Sequence, residues 1–242
     1  MKEQYLVSLR KKEEYPKDQY PFTIPAIQAF EELTFHPKVT FFVGENGSGK
    51  STLLEALAKY FSLNAEGGSR NLNFSTEETT SALDRYLIVA KGIITPRDAY
   101  FLRAESYYNV ATQIRKLEDE EPGLFHYYGG KNLHHQSHGE SFFSLFQHRF
   151  YGNGLYLLDE PEAALSVKRQ LSLLVRIDEL CMKKNSQFVI ATHSPILLSY
   201  PNATIYEFSS EGIVKKEKEE VENYTLMRDF LHHPERYLRE LL

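Results

Sequence analysis

One stretch, Gly44-Glu45-Asn46-Gly47-Ser48-Gly49-Lys50-Ser51, satisfies the pattern G-x-x-x-x-G-K-[ST] at every constrained position. An apolar run over residues 39–43 precedes it, and Thr52-Leu53-Leu54-Glu55-Ala56-Leu57-Ala58, a good helix former, follows. The loop therefore falls between a strand and a helix start, where glycines let successive backbone N–H groups curl around an anion. Lys50 is expected to reach the β- and γ-phosphates of a nucleotide and the Ser51 hydroxyl to ligate Mg²⁺. Backbone amides from Gly47 to Thr52 would cradle the phosphate oxygens, with Gly44, Asn46, Ser48 and Gly49 shaping the loop.

The remaining pattern fits one α/β unit spanning residues 1–242. Residues 5–10, 27–35 and 39–43 read as strands forming a small N-terminal layer that feeds the loop. Residues 51–61 read as a helix, 62–84 as a surface connection, and 86–90 and 99–103 as further strands. A helix over 106–120 and another over 140–151, with Phe142, Phe143, Leu145, Phe146 and Phe150 at helical spacing, flank a loop over 124–138. Strands at 154–158 and 187–191 enclose a helix over 162–184. A closing hairpin pairs 204–208 with 213–215, and one or two tail helices break near Pro234. Strand–helix alternation from 39 to 199 predicts a mostly parallel sheet flanked by helices.

Chemistry beyond phosphate binding comes from Gly154-Leu155-Tyr156-Leu157-Leu158-Asp159-Glu160, an apolar run that ends in two acids. Such a run reads as a buried strand whose carboxyl end lies at the edge where ligands collect in open α/β sheets. Asp159 is placed to hold Mg²⁺, directly or through water. Glu160, one residue on, would polarise the attacking water as general base. His193, after the next strand, can donate to the γ-phosphate and fix the geometry of that water. Lys50, Glu160 and His193 are thus the candidate catalytic residues.

Taken together, residues 44–51, the Asp-Glu-Pro-Glu run at 159–162 and Ala191-Thr192-His193-Ser194 resemble the Walker A, Walker B and switch-histidine motifs of the ATP-binding cassette ATPases, in family order. Ser137-His138-Gly139-Glu140-Ser141 looks like a divergent form of the family's signature loop. The variant looks closer to soluble cassette-like ATPases grouped with repair and chromosome-maintenance proteins, and to small predicted bacterial ATPases of that group, than to the transporter pattern. The resemblance implies a P-loop NTPase fold of ABC-ATPase type, with an N-terminal antiparallel β layer and a small helical arm, roughly residues 105–151, carrying the signature loop. It implies ATP and Mg²⁺ as ligands and an ATP-dependent homodimer in which Ser137, Gly139 and Ser141 of one copy complete the site of the other.

Two departures stand out. Ser166 occupies the place where the family's D-loop aspartate is expected, and the glutamine loop has no clear match, leaving Glu105 or Gln113 as substitutes. Tyr15, Tyr20 and Phe22 are the candidates for stacking on adenine.

Composition narrows the partners. A formal charge of −5 carries no global field for nucleic acid, and the single cysteine, Cys181, rules out an internal disulfide framework. With no long apolar segment for a signal or a bilayer span, the expected location is the cytoplasm, without direct membrane insertion and with a protein partner of unknown kind. The leading expectation is an ATPase that dimerises on ATP to drive a partner or a conformational switch. A slow-turnover nucleotide-dependent binding module and the nucleotide-binding subunit of a transporter are the alternatives.

Overall fold

A computed structural model describes residues 4–70, 72, 81–120, 122–130, 132, 134 and 138–242, His138 through its backbone alone. The elements run β1 (Leu6–Lys11), α1 (Pro25–Ala29), β2 (Glu32–Thr34), β3 (Val39–Gly44), α2 (Lys50–Tyr60), β4 (Leu87–Lys91), β5 (Asp98–Arg103) and α3 (Tyr107–Glu120). They continue with α4 (His138–His148), β6 (Gly154–Asp159), α5 (Val167–Lys183), β7 (Gln187–Ala191), α6 (Pro195–Leu198), β8 (Thr204–Ser209), β9 (Gly212–Lys216), α7 (Glu222–His232) and α8 (Pro234–Leu241).

Six strands form the main sheet in the order β5-β6-β7-β3-β8-β9, parallel except for β9, and three form an antiparallel layer in the order β2-β1-β4. Side-chain alternation along each central strand divides the interior between the two sheet faces. Phe41, Tyr100, Leu102, Tyr156, Leu158, Phe188 and Ile190 point to the face covered by α3, α4 and α5. Phe42, Phe101, Leu155, Leu157 and Val189 point to the other, where α2 and the antiparallel layer supply Leu53, Leu57, Leu6, Leu9 and Val89. Buried on both faces, β6 is apolar throughout, as expected of a central parallel strand.

Gln187 and Tyr206 both join the two sheets, the Tyr206 hydroxyl through the Thr34 backbone. The buried Gln187 amide oxygen accepts from the N–H groups of Tyr5 and Leu6, at 3.0 and 2.8 Å, while its nitrogen donates to the carbonyls of Leu6 and His36. Four donor or acceptor demands are met by one residue, so the N-terminal strand is positioned without backbone pairing to the main sheet.

Both edges of the main sheet are covered or charged. Along β5, Gly68 exchanges both backbone hydrogen bonds with Phe101, at 2.7 and 3.0 Å. The other edge, β9, is five residues long and ends in Lys215-Lys216.

The expected elements are present with three corrections. Residues 27–35 do not form one strand: Pro25 occupies the first turn of the short helix α1, where its missing N–H costs nothing, and only Glu32–Thr34 pair as β2. The helix expected from 162 begins instead at Val167, because 161–164 form a turn whose Glu162 side chain is engaged elsewhere. The strand at Leu87–Lys91 belongs to the antiparallel layer, paired with β1. In the expected arm region, α3 and α4 meet through Tyr107 and Phe142, whose rings stand 4.9 Å apart. Arg149, just after α4, ties this region to the sheet with bonds of 2.9 and 3.0 Å to the two carboxylate oxygens of Asp98 on β5.

Candidate functional site

Parallel register decides which residues meet. Arg103 of β5 pairs with Asp159 of β6, Asp159 with Ala191 of β7, and Ala191 with Phe42 of β3. The carboxyl ends of four neighbouring strands therefore bring Gly44, Arg103, Asp159 and Thr192-His193 to one edge, beside the N-terminus of α2. A cleft of about 810 Å³ opens there, lined among others by Tyr20, Asn46, Lys50, Ser51, Glu105 and Glu160.

The glycine loop leaves β3 through Gly44, whose φ is 133°, where any Cβ would lie 2.3 Å from the Phe208 carbonyl oxygen. It enters α2 through Gly49, a left-handed N-cap with φ of 103° that offers no side chain to the first-turn amides. No carboxylate occupies that first turn. The orphan N–H groups of a helix start thus face the cleft uncapped, the arrangement that binds an anion. The Ser48 hydroxyl is buried without a hydrogen-bond partner, a second donor suited to a phosphate oxygen. Lys50 is folded back, its Nζ donating to the carbonyls of Gly44 and Glu45 at 2.8 Å each. Burial lowers its pKa against the opposing pull of Glu160, Asp159 and Glu162.

Across the loop, the Ser51 hydroxyl donates to Asp159 Oδ1 at 3.0 Å. This pair of hard oxygen donors fits Mg²⁺, which takes hydroxyl and carboxylate ligands beside substrate phosphates. Burial pushes the Asp159 carboxyl up to about 6, more than the Ser51 hydrogen bond, Arg103 and Lys50 pull it down. Beyond it, Arg103 lies among three carboxylates: Glu105 at 3.1 Å, Glu55 at 3.5 Å and Asp159 at 3.8 Å.

Glu160 sits at φ of 51°, unusual for a side chain with a Cβ, and its N–H donates to the Ala191 carbonyl. That conformation ends β6 abruptly and points the carboxylate toward His193, whose Nε2 is 3.7 Å from Oε1. His193 Nε2 is buried and makes no hydrogen bond. Its backbone is held by Glu162, whose Oε1 accepts from the His193 N–H and the Thr192 hydroxyl, each at 2.7 Å. Ser194 adds a second tether, donating to Gln170 Oε1 at 2.6 Å while capping α6 at Leu197.

The structure thus gathers Gly44, Asn46, Gly47, Ser48, Gly49, Lys50, Ser51, Thr52, Asp159, Glu160 and His193 around one edge. Ser137 lies outside the described residues. Gly139 and Ser141 are in the first turn of α4 and pack inward: a Cβ at Gly139 would meet the Ala164 carbonyl at 2.7 Å, and Ser141 is buried beside Tyr107. Glu140 turns toward Arg169, 4.0 Å away. Of the possible adenine platforms, Phe22 is buried and Tyr15 packs on it, whereas Tyr20 is 63% exposed at the cleft with its hydroxyl 3.3 Å from Thr52 Oγ1. Glu105 lines the cleft, while Gln113 lies within α3.

Sequence reasoning assigned no role to Arg103, Glu162 or Gln170. Their positions depend on strand order and on the turn after β6, and only the last acid of Asp-Glu-Pro-Glu, Glu162, was a signal for any of them.

Comparison with known proteins agrees with this geometry. Residues 23–121 match a family model described as an AAA domain, and residues 136–199 match one described as an AAA domain, putative AbiEii toxin, Type IV TA system. Among solved structures, cbiO1 from Clostridium perfringens, part of the ABC transporter complex cbiONQ, aligns with a TM-score of 0.55 at 17% identity, covering 98% of this chain and 100% of that one. A nucleotide-free ATP-binding cassette from an ABC transporter aligns at 0.50 and 17%, covering 96% and 97%. No curated protein matches the sequence. The chain shares the fold of these cassettes, a mostly parallel sheet flanked by helices with an added antiparallel layer.

Proposed function

We propose that the chain, acting as one ATPase unit with a helical arm, binds ATP with Mg²⁺, hydrolyses it, and dimerises on ATP to drive a partner or a conformational switch. The observation that carries this reading is the Ser51–Asp159 hydrogen bond, which joins the phosphate loop to a carboxylate beside Glu160, a cleft residue whose carboxylate lies 3.7 Å from His193.

In this mechanism the α2 amides, the Ser48 hydroxyl and Lys50 bind the phosphates, Lys50 exchanging its two loop carbonyls for phosphate oxygens. Tyr20 stacks on the base. Ser51 and Asp159 would hold Mg²⁺, which supplies charge neutralisation at the β- and γ-phosphates. Glu160 accepts the proton of the attacking water, and His193, fixed through Glu162, donates to the γ-phosphate oxygens. Gly139 and Ser141 of a second copy would complete the site, which requires Ser141 to turn out of its present burial beside Tyr107.

The test is Glu160→Gln. ATP binding should persist, turnover should fall about 10²–10⁴-fold, and dimer should accumulate in size-exclusion chromatography with ATP. Unchanged phosphate release removes Glu160 from its role.

A second reading, a nucleotide-dependent binding module that turns over slowly, is favoured by Ser166. It is an exposed serine at the N-cap of α5, with no capping hydrogen bond from its side chain, where a D-loop aspartate would couple two copies. Steady-state phosphate release that stays below a single turnover per hour in the dimeric state would support the module over the enzyme. The transporter-subunit reading, prompted by the ABC-transporter relatives in fold, would be supported by co-purification with a membrane subunit.

A further inference from the structure

We propose that Arg103 is an internal counter-cation of the metal site, competing with a divalent metal for Asp159 so that metal enters with the nucleotide rather than alone. The inference rests on the metal role of Ser51 and Asp159 proposed above and adds a positioning residue to it.

Three elements aim carboxylates at this guanidinium. Asp159 stands opposite Arg103 in the β5–β6 register, so its Oδ2 faces Nε at 3.8 Å while Oδ1 is engaged by Ser51. Glu55 stands one helical turn after Ser51 on α2, so the helix presents Ser51 to Asp159 and Glu55 to Arg103 from one face. Glu105, in the turn after β5, accepts from Nη2 at 3.1 Å and reaches into the cleft. Asp159 has no other ion pair among the described residues, and its side chain is only 6% exposed.

Two details separate a competitor from a plain structural ion pair. Arg103 Nε is buried without a hydrogen-bond partner, although it faces Asp159, so the contact is an incomplete one that a better ligand can replace. Lys50, the other cation of the site, is turned back onto loop carbonyls, which leaves Arg103 as the charge facing Asp159 from the side opposite Ser51. A divalent ion entering between Ser51 and Asp159 meets this positive charge. One that arrives with a triphosphate brings four negative charges that offset the repulsion. Arg103 then keeps Glu55 and Glu105, which holds the turn leading into α3.

The experiment measures Mn²⁺ binding to nucleotide-free protein from the free-Mn²⁺ electron paramagnetic resonance signal. Arg103→Met and Arg103→Gln should each bind Mn²⁺ about tenfold or more tightly than the native protein, with Arg103→Lys close to native, because the competing charge is restored. The gain should vanish in Arg103→Met combined with Asp159→Asn. Folding is checked by thermal melting; if the methionine variant is unfolded, the glutamine variant, closer in polarity, decides. Affinity no tighter than native in the folded variant overturns the inference. A gain that survives Asp159→Asn overturns the metal assignment beneath it, as would undiminished stabilisation of Asp159→Asn by Mg-ATP over ATP alone.

Discussion

Replacing Asp159 with asparagine should stabilise the nucleotide-free protein while removing its response to metal. The Asp159 carboxyl is raised from 3.8 to about 6, chiefly by burial, with its side chain 6% exposed. Ionising it in the folded protein therefore costs about 3 kcal/mol more than in the unfolded chain. The sign follows from proton binding. Below pH 3.8 both states are protonated and no penalty exists; between 3.8 and about 6 the unfolded chain ionises first, so stability falls as pH rises; above about 6 the full penalty applies. Asparagine keeps an oxygen for the Ser51 hydroxyl as a weaker acceptor, and the attraction of Arg103 that it forgoes is already contained in the net shift. The net gain at neutral pH is therefore about 1–3 kcal/mol, or roughly 2–10 °C in melting temperature for a chain of this size. Urea unfolding of both proteins from pH 4 to 8, without metal, gives the difference curve: near zero at the acid end and growing to a plateau above pH 7. A flat difference, or an asparagine variant less stable than native at pH 7.5, refutes the reasoning.

Three further outcomes can be checked. Glu162→Ala strands the buried Thr192 hydroxyl and the His193 N–H, so it should cost about 2–4 kcal/mol in urea unfolding and lower kcat with little change in KM, while Glu162→Gln, which keeps an accepting oxygen, should restore most of the turnover. Tyr20→Ala should weaken binding of a fluorescent ATP analogue by about tenfold or more, with Tyr20→Phe near native, since stacking is a property of the ring. Gly44→Ala drives a methyl group to 2.3 Å from the Phe208 carbonyl, and should lower soluble expression and melting temperature by an amount matching about 3 kcal/mol or more.

What could be read in advance depended on how local its cause is. The loop at Gly44–Ser51 and the apolar strands β3, β6 and β7 carry their signals within a few consecutive residues. Their end-of-strand acids and histidine followed from the same runs. Residues 27–35 misled because a five-residue helix shows barely more than one turn of periodicity, and Pro25 is its sole local marker. The late start of α5 follows from Glu162 being spent on Thr192 and His193, residues brought near it by the β6–β7 pairing. Arg103 is similar: at the end of a strand it reads as an ordinary surface charge, and only the strand order β5-β6-β7-β3 sets it against Asp159. The left-handed backbone of Glu160 has no sequence signature, because glutamate is not a residue that favours it.

The guarded sheet edges restrict how two copies can meet. With Gly68 already bonded along β5 and a short lysine-ended β9 at the other side, a second chain gains little by adding its own strand at either end. Assembly by growth of a continuous sheet, the route of least specificity, is disfavoured from both directions. At the loop-bearing end, Asn46, Glu105 and Glu160 line the cleft. Under the dimer proposed above, association at that end would depend on what occupies the cleft.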